Sequence, residues 1–378
     1  MGELRSRMRR RGGVRMMEIW RATVPGHTSH SVLADPATKS LFVSDGWGVA
    51  HSGLRLHRLD PDTGEELAEV RTRQQYVSAM TVADGSLYAV THSRLLRLRP
   101  EDLAILDHWD RVLPSDAQQL LVSDGLVVAA NFRKPLVGLF DPQRGASTRL
   151  RTGLQPLLVR HAQRVKVLEG FDGGVRTLDP ERATLLGPEP CPPASAVAAG
   201  TEMWVVRAGA AQGVHSQGAP SSWLKPGTAG LLRLGGDREW EMVLPDAASA
   251  VLCDDDRGLV WCLVGERSAN LVAVDQRHGW IVESFPAGPG RYWAYFHPPT
   301  GLAVTAEPME QAGGYRATQS LSNLVGHVIV LEDWDLGRLP GHAAGSAEAS
   351  CIDLSAAADG DAGGSPVEDH EESEPGRL

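Results

Sequence analysis

Three carboxylates and one guanidinium stand in this chain where chemistry could occur. Asp45, Glu169 and Glu307 each close a short apolar run, and so do Arg207, Thr91 and Asn131. Unlike charges gathered in a partly closed space shift one another's proton affinity and can poise a general acid or base. If the chain is an enzyme, Arg207, Glu307 and His30 are its expected catalytic groups, and a lyase, isomerase or cyclase is the type such a set would serve. Asp45, Trp47, Tyr76, His92, Asn131, Phe132, Glu169, Arg291, Tyr292 and Trp293 are the expected ligand contacts. A few polar groups among aromatics are what a concave binding site presents.

Each of these residues also has a plainer use. Asp and Asn at a strand end favour turns, where they bond nearby backbone. A single His at the start of a strand commonly bonds a neighbouring chain. The carboxylates could alternatively collect a hard cation, which needs several oxygen ligands, but their wide separation around the ring expected below argues against it, and no metal is expected. Cys253 and Cys262 are expected to pack as small apolar residues rather than act as nucleophiles.

Other chemistries lack their signatures. The sequence has no C-x-x-C-H for a c-type haem, no P-loop, no G-x-G-x-x-G after a strand and no G-x-S-x-G elbow, so no cofactor is expected. His51, His57 and His92 lack the i, i+4 spacing of a metal pair. The four cysteines form no C-x-x-C, which suits a reducing compartment.

Composition bounds the setting. Hydrophobic residues make up 42% and charged residues 22%, ordinary for a globular core. No apolar run reaches bilayer length, so no membrane span is expected. The Arg-rich opening MGELRSRMRRRGGVR has no apolar region behind it, as a secretory signal would require, and a cytoplasmic location is the expectation. Without interleaved aromatics it reads as a solvated tail rather than a nucleic-acid contact, with Met16 or Met17 as alternative starts. Much of the net charge of −10 comes from acids between Glu348 and Glu374, in a Gly/Ala/Ser/Pro-rich tail too poor in apolar residues to fold.

The elements that must position the candidate residues repeat. A short strand ending in an apolar residue and a turn former recurs at Leu59-Asp60-Pro61, Leu98-Arg99-Pro100, Phe140-Asp141-Pro142, Leu178-Asp179-Pro180, Leu234-Gly235-Gly236, Val274-Asp275-Gln276 and Leu331-Glu332-Asp333. The mean spacing is about 45 residues, the length of a four-stranded blade. Within the first unit, strands are expected near 30–34, 41–44, 54–59 and 66–70. A blade cannot bury both faces alone, so the units must pack around an axis and close into a ring.

The expected fold is therefore all-β: a seven-bladed β-propeller of four-stranded antiparallel blades over 18–340, with a disordered basic tail at 1–17 and a disordered acidic tail at 341–378. The segment Glu18 to Val24 is expected to complete the last blade. A β-sandwich or two smaller domains is the alternative, but no linker-like stretch interrupts the series.

The phrases LFVSDG…LRLHRLDPDTGE and LLVSDG…LVGLFDPQRG resemble the YVTN-type repeats of the propeller group that includes methylamine dehydrogenase heavy chains and quinoprotein-like domains. The resemblance implies the fold and leaves the function open. The dipeptide Trp334-Asp335 occurs without the companion Gly-His pattern, so likeness to WD40 repeats is slight at this level.

In such a ring the loops joining second to third strands share a rim with the blade links. The strand-end residues Asp45, Thr91, Asn131, Glu169, Arg207, Val264 and Glu307 should then circle the channel mouth. The long insertions after Arg207 and after Glu307 should cover it. A small molecule or peptide bound at that mouth, by an accessory or recognition protein, is the leading expectation. An acid/base enzyme is the alternative, and a scaffold with a protein partner the second alternative.

Overall fold

The computed structural model describes residues 13–26, 31–45, 54–72, 76–131, 133–207, 230–234, 240–245, 248–264, 270–286, 294–297, 301–308 and 321–332. They form seven four-stranded antiparallel sheets. Blade 1 is β2 (Val32–Asp35), β3 (Ser40–Ser44), β4 (Arg55–Leu59) and β5 (Glu66–Arg71), close to the strands expected from the sequence. Blade 2 is β6 (Ala79–Ala83), β7 (Ser86–Val90), β8 (Arg94–Leu98) and β9 (Ile105–Asp110). Blade 3 is β10 (Gln119–Ser123), β11 (Leu126–Ala130), β12 (Leu136–Asp141) and β13 (Ala146–Arg151).

Blade 4 is β14 (Pro156–His161), β15 (Arg164–Glu169), β16 (Val175–Asp179) and β17 (Thr184–Glu189). Blade 5 is β18 (Ala194–Ala199), β19 (Met203–Arg207), β20 (Gly230–Leu234) and β21 (Trp240–Val243). Blade 6 is β22 (Ala248–Asp254), β23 (Leu259–Val264), β24 (Asn270–Asp275) and β25 (Ile281–Pro286). Blade 7 joins β26 (Ala294–His297), β27 (Leu302–Pro308) and β28 (Leu321–Glu332) to β1 (Gly13–Pro25), the first strand of the chain.

Burial explains the sequence pattern of each blade. Second strands such as β3 and β23 are buried along their whole length, because a neighbouring blade covers each face, and they read as continuous apolar runs. Outer strands such as β5 and β9 alternate, with most positions exposed. The recurring strand-end aspartates have a local cause. Asp60, Asp141, Asp179 and Asp275 each accept backbone N–H groups from the turn that follows, which sets the reversal between third and fourth strands.

Among the described residues the hydrophobic core is divided into seven clusters, one for each pair of adjacent blades. Between blades 1 and 2, Phe42, Leu56 and Val77 pack on Leu87 and Leu98. Between blades 5 and 6, Trp204 and Val206 pack on Val260, Cys262 and Val272. The cluster that closes the ring joins Trp20, Leu302 and Val304 of blade 7 to Leu41, Val43 and Leu59 of blade 1.

Near the axis, hydroxyls stitch first strands together. Ser31 donates to the Val77 carbonyl at 3.0 Å, Ser78 to the Ala117 carbonyl, and Ser195 to the Ala248 carbonyl at 3.2 Å. Strand β1 starts at Gly13 rather than at Glu18, so part of the stretch read as a tail pairs with β28, Gly13 lying opposite Glu332. Residues 1–12 and the acidic tail lie outside the described residues.

Candidate functional site

The strand-end column forms as expected along the chain. Asp45, Thr91, Asn131, Glu169, Arg207 and Val264 close or directly follow the second strands of blades 1 to 6, and Glu307 lies on β27, opposite Asn323. His30, Trp47, Phe132, Arg291, Tyr292 and Trp293 lie outside the described residues, as do 208–229 and 309–320 of the two long insertions; Leu321 to Gly326, expected as the end of the second insertion, instead open strand β28 and pair with β1. Backbone bonds confirm that second-to-third loops and blade links share a rim: Asp116 N–H donates to the His92 carbonyl at 3.1 Å, and Ala194 N–H to the Gly170 carbonyl at 2.8 Å.

Four members of the column are occupied in shaping the loops beside them. Asp45 accepts the Arg55 N–H at 2.7 Å, Thr91 accepts the Arg94 N–H at 3.2 Å and Asn131 accepts the Arg133 N–H at 2.8 Å. Glu169, which is 7% exposed, accepts the Gly153 N–H at 2.9 Å and the Arg176 Nε–H at 2.6 Å. Buried polar groups must find such partners. Arg207 ion-pairs with Glu241 at 2.7 Å, and bare Gly230 leaves the room, since a Cβ there would meet Glu241 Oε1 at 2.4 Å. Glu169 and Arg207 thus find their counter-charges within their own blades, not across the mouth.

The sequence reading weighed His57 only as a metal ligand, without pair spacing, and not among the site residues. On β4 of blade 1 it is 4% exposed, with Nε2 2.8 Å from Asp45 Oδ1 and Nδ1 2.7 Å from Glu66 Oε2. Burial pushes the imidazole's proton affinity down, but the bonds and charges of Asp45 and Glu66 outweigh it and hold His57 above its ordinary 6.5. Nδ1 also lies with Glu66 and Glu69 in a grouping that could ligate a metal. Ligation would require a neutral ring and release of Glu69 from its ion pair with Arg55, so the arrangement suits an imidazolium between two carboxylates better. A His at an inward position of LRLHRL, with an acid just past the paired strand, was the available signal.

At blades 2 and 3 the structure does gather expected contacts. His92 Nδ1 lies 2.7 Å from Asp116 Oδ1, and Asn131 Nδ2 donates to the Ser115 carbonyl. Half-buried Tyr76 has its phenol pushed up by burial and by the Asp116 charge, against the pull of Arg133. Beside them is a cavity of about 340 Å³ lined by His92, Ser93, Arg111, Leu113, Pro114, Ser115, Lys134, Leu136 and Arg149. Sequence reading missed its cations, which the blade link, the loop before β12 and β13 supply from separate stretches.

Cys253 and Cys262 sit in the apolar cluster between blades 5 and 6, as expected of small apolar residues. Burial raises both thiols, that of Cys262 to about 12, so neither is an activated nucleophile.

No family model and no curated protein matches this chain. Solved structures do. The Neurospora crassa Pan2 WD40 domain is 10% identical with a TM-score of 0.60, the match covering 84% of this chain and 95% of that one. The RRP9 WD40 repeats are 12% identical at a TM-score of 0.55, over 83% and 100% of the two chains. The Myceliophteria thermophila Cps50 (Swd1) β-propeller domain is 11% identical at 0.56, over 80% and 98%. At these identities the likeness is one of fold.

Proposed function

We propose that this propeller is a recognition protein that holds a peptide segment of a partner at the channel-mouth rim, rather than an acid/base enzyme. The observation that carries this reading is the occupation of the strand-end polar groups. Asp45, Asn131 and Glu169 accept nearby backbone N–H groups, and Glu169 and Arg207 each hold a counter-charge of the same blade. A general acid or base needs a polar atom free to meet substrate, whereas binding needs only a rigid rim with exposed groups.

The unbridged thiols of half-buried Cys253 and buried Cys262 support a reducing, cytoplasmic setting. The YVTN-like phrases support the same fold and add no activity.

The test maps a partner captured from native extract by cross-linking. Contacts on the mouth rim, lost in Tyr76→Ala or Asp172→Arg and kept in Asp62→Arg or Arg144→Glu on the opposite rim, are the expected result. Capture indifferent to the mouth-rim changes would overturn the reading.

A further inference from the structure

We infer that the cavity between blades 2 and 3 is an anion site that takes a phosphorylated side chain of the partner segment. This deepens the recognition reading and rests on it. Three cations line the cavity from separate elements: Arg111 from the link after β9, Lys134 from the loop before β12, and Arg149 from β13. The carboxylates on the neighbouring link and strand are already engaged. Asp116 holds His92 at 2.7 Å and Asp110 holds Arg94 at 2.7 Å, though Asp110 also feels the Arg111 charge. Among the described residues no carboxylate ion-pairs with Arg111, Lys134 or Arg149, and the Lys134 ammonium donates only to the Ser115 hydroxyl, at 2.6 Å.

The cavity has a built floor. Gly138 on β12 lies opposite Arg149, and a Cβ on it would stand 2.3 Å from Pro114 Cδ, so the link is seated directly against the bare backbone. Three like charges around one hollow repel each other until an anion enters. A phosphate monoester carries about −1.5 to −2 at neutral pH and three acceptor oxygens, which matches cations backed by the Ser93 and Ser115 hydroxyls. The volume falls in the range of ligand sites, leaving room for residues flanking the phosphate.

The test uses the full chain and a fluorescent peptide pool of random sequence around a fixed phosphoserine, with the serine pool as reference and fluorescence anisotropy as readout. The phosphorylated pool should bind about 10-fold tighter, with the preference falling as salt rises. Lys134→Ala with Arg149→Ala should abolish the preference while the circular dichroism spectrum and melting temperature stay unchanged, and Lys134→Arg should keep most of it.

Equal binding of the two pools overturns the inference. So does a preference that survives the double variant. A preference seen only after the acids between Glu348 and Glu374 are changed to amides would assign the cavity to the chain's own tail and also overturn it. A partner that remains bound at the rim in the double variant removes the anion site while leaving the recognition reading intact.

Discussion

The indole Nε1 of Trp20 donates to the carbonyl of Pro61 at 2.8 Å, joining the last blade's outer strand to the turn between the third and fourth strands of the first blade. Its ring is wedged between two chain segments that lack side chains there. A Cβ on Gly326 would lie 2.1 Å from Trp20 Cε2, and one on Gly64 would lie 2.6 Å from Cε3. Trp20 belongs to the cluster that closes the ring, so it acts as a clasp between the two ends of the propeller.

Trp20→Ala should destabilise the protein by about 3–5 kcal/mol through the cavity it leaves and the lost bond. Gly326→Ala should cost about 1–3 kcal/mol through overpacking against the indole. Because the two effects meet in the same space, the double variant should fall short of their sum, which a denaturation cycle measures.

Asp45 and Glu66 make stability depend on pH through His57. A raised folded-state affinity stabilises fully below the unfolded value of 6.5 and is lost as pH rises through the folded value. His57→Gln should therefore melt well below the parent at about pH 6, with the gap narrowing toward about pH 9. Melting temperatures taken across that range check it, and a gap that widens with pH would contradict the assignment.

Glu169→Ala leaves the Arg176 Nε–H and the Gly153 N–H without their acceptor, at a cost of about 2–4 kcal/mol. Glu169→Gln keeps an acceptor and should lose less. Urea unfolding monitored by circular dichroism gives both values, and partner capture should follow the folded fraction rather than the charge at this position.

The raised thiols of Cys253 and Cys262 should resist alkylation in the folded protein. Peptide mapping after iodoacetamide at about pH 8 should find both unmodified, and both labelled once the chain is unfolded in urea. Labelling of Cys262 under native conditions would contradict its burial.

Sequence alone determined the elements. Leu59-Asp60-Pro61 and its counterparts are local signals, since Asp60, Asp141, Asp179 and Asp275 set turns with their own next residues. Their spacing counted the blades, and the ends of the second strands could be read from the same pattern. What only the tertiary structure decided is which side chains meet. A bulge between Arg58 and Leu59 shifts the register so that Leu59 faces Glu66 while His57 faces Glu69, placing both acids on the side of His57. Trp20 reaches Pro61, and Tyr76, His92, Arg111 and Lys134 come together at blades 2 and 3, through contacts across blades. Such contacts depend on register, bulges and ring closure, and these leave no trace in an alternation of apolar and polar residues, which records only which face of a strand is covered.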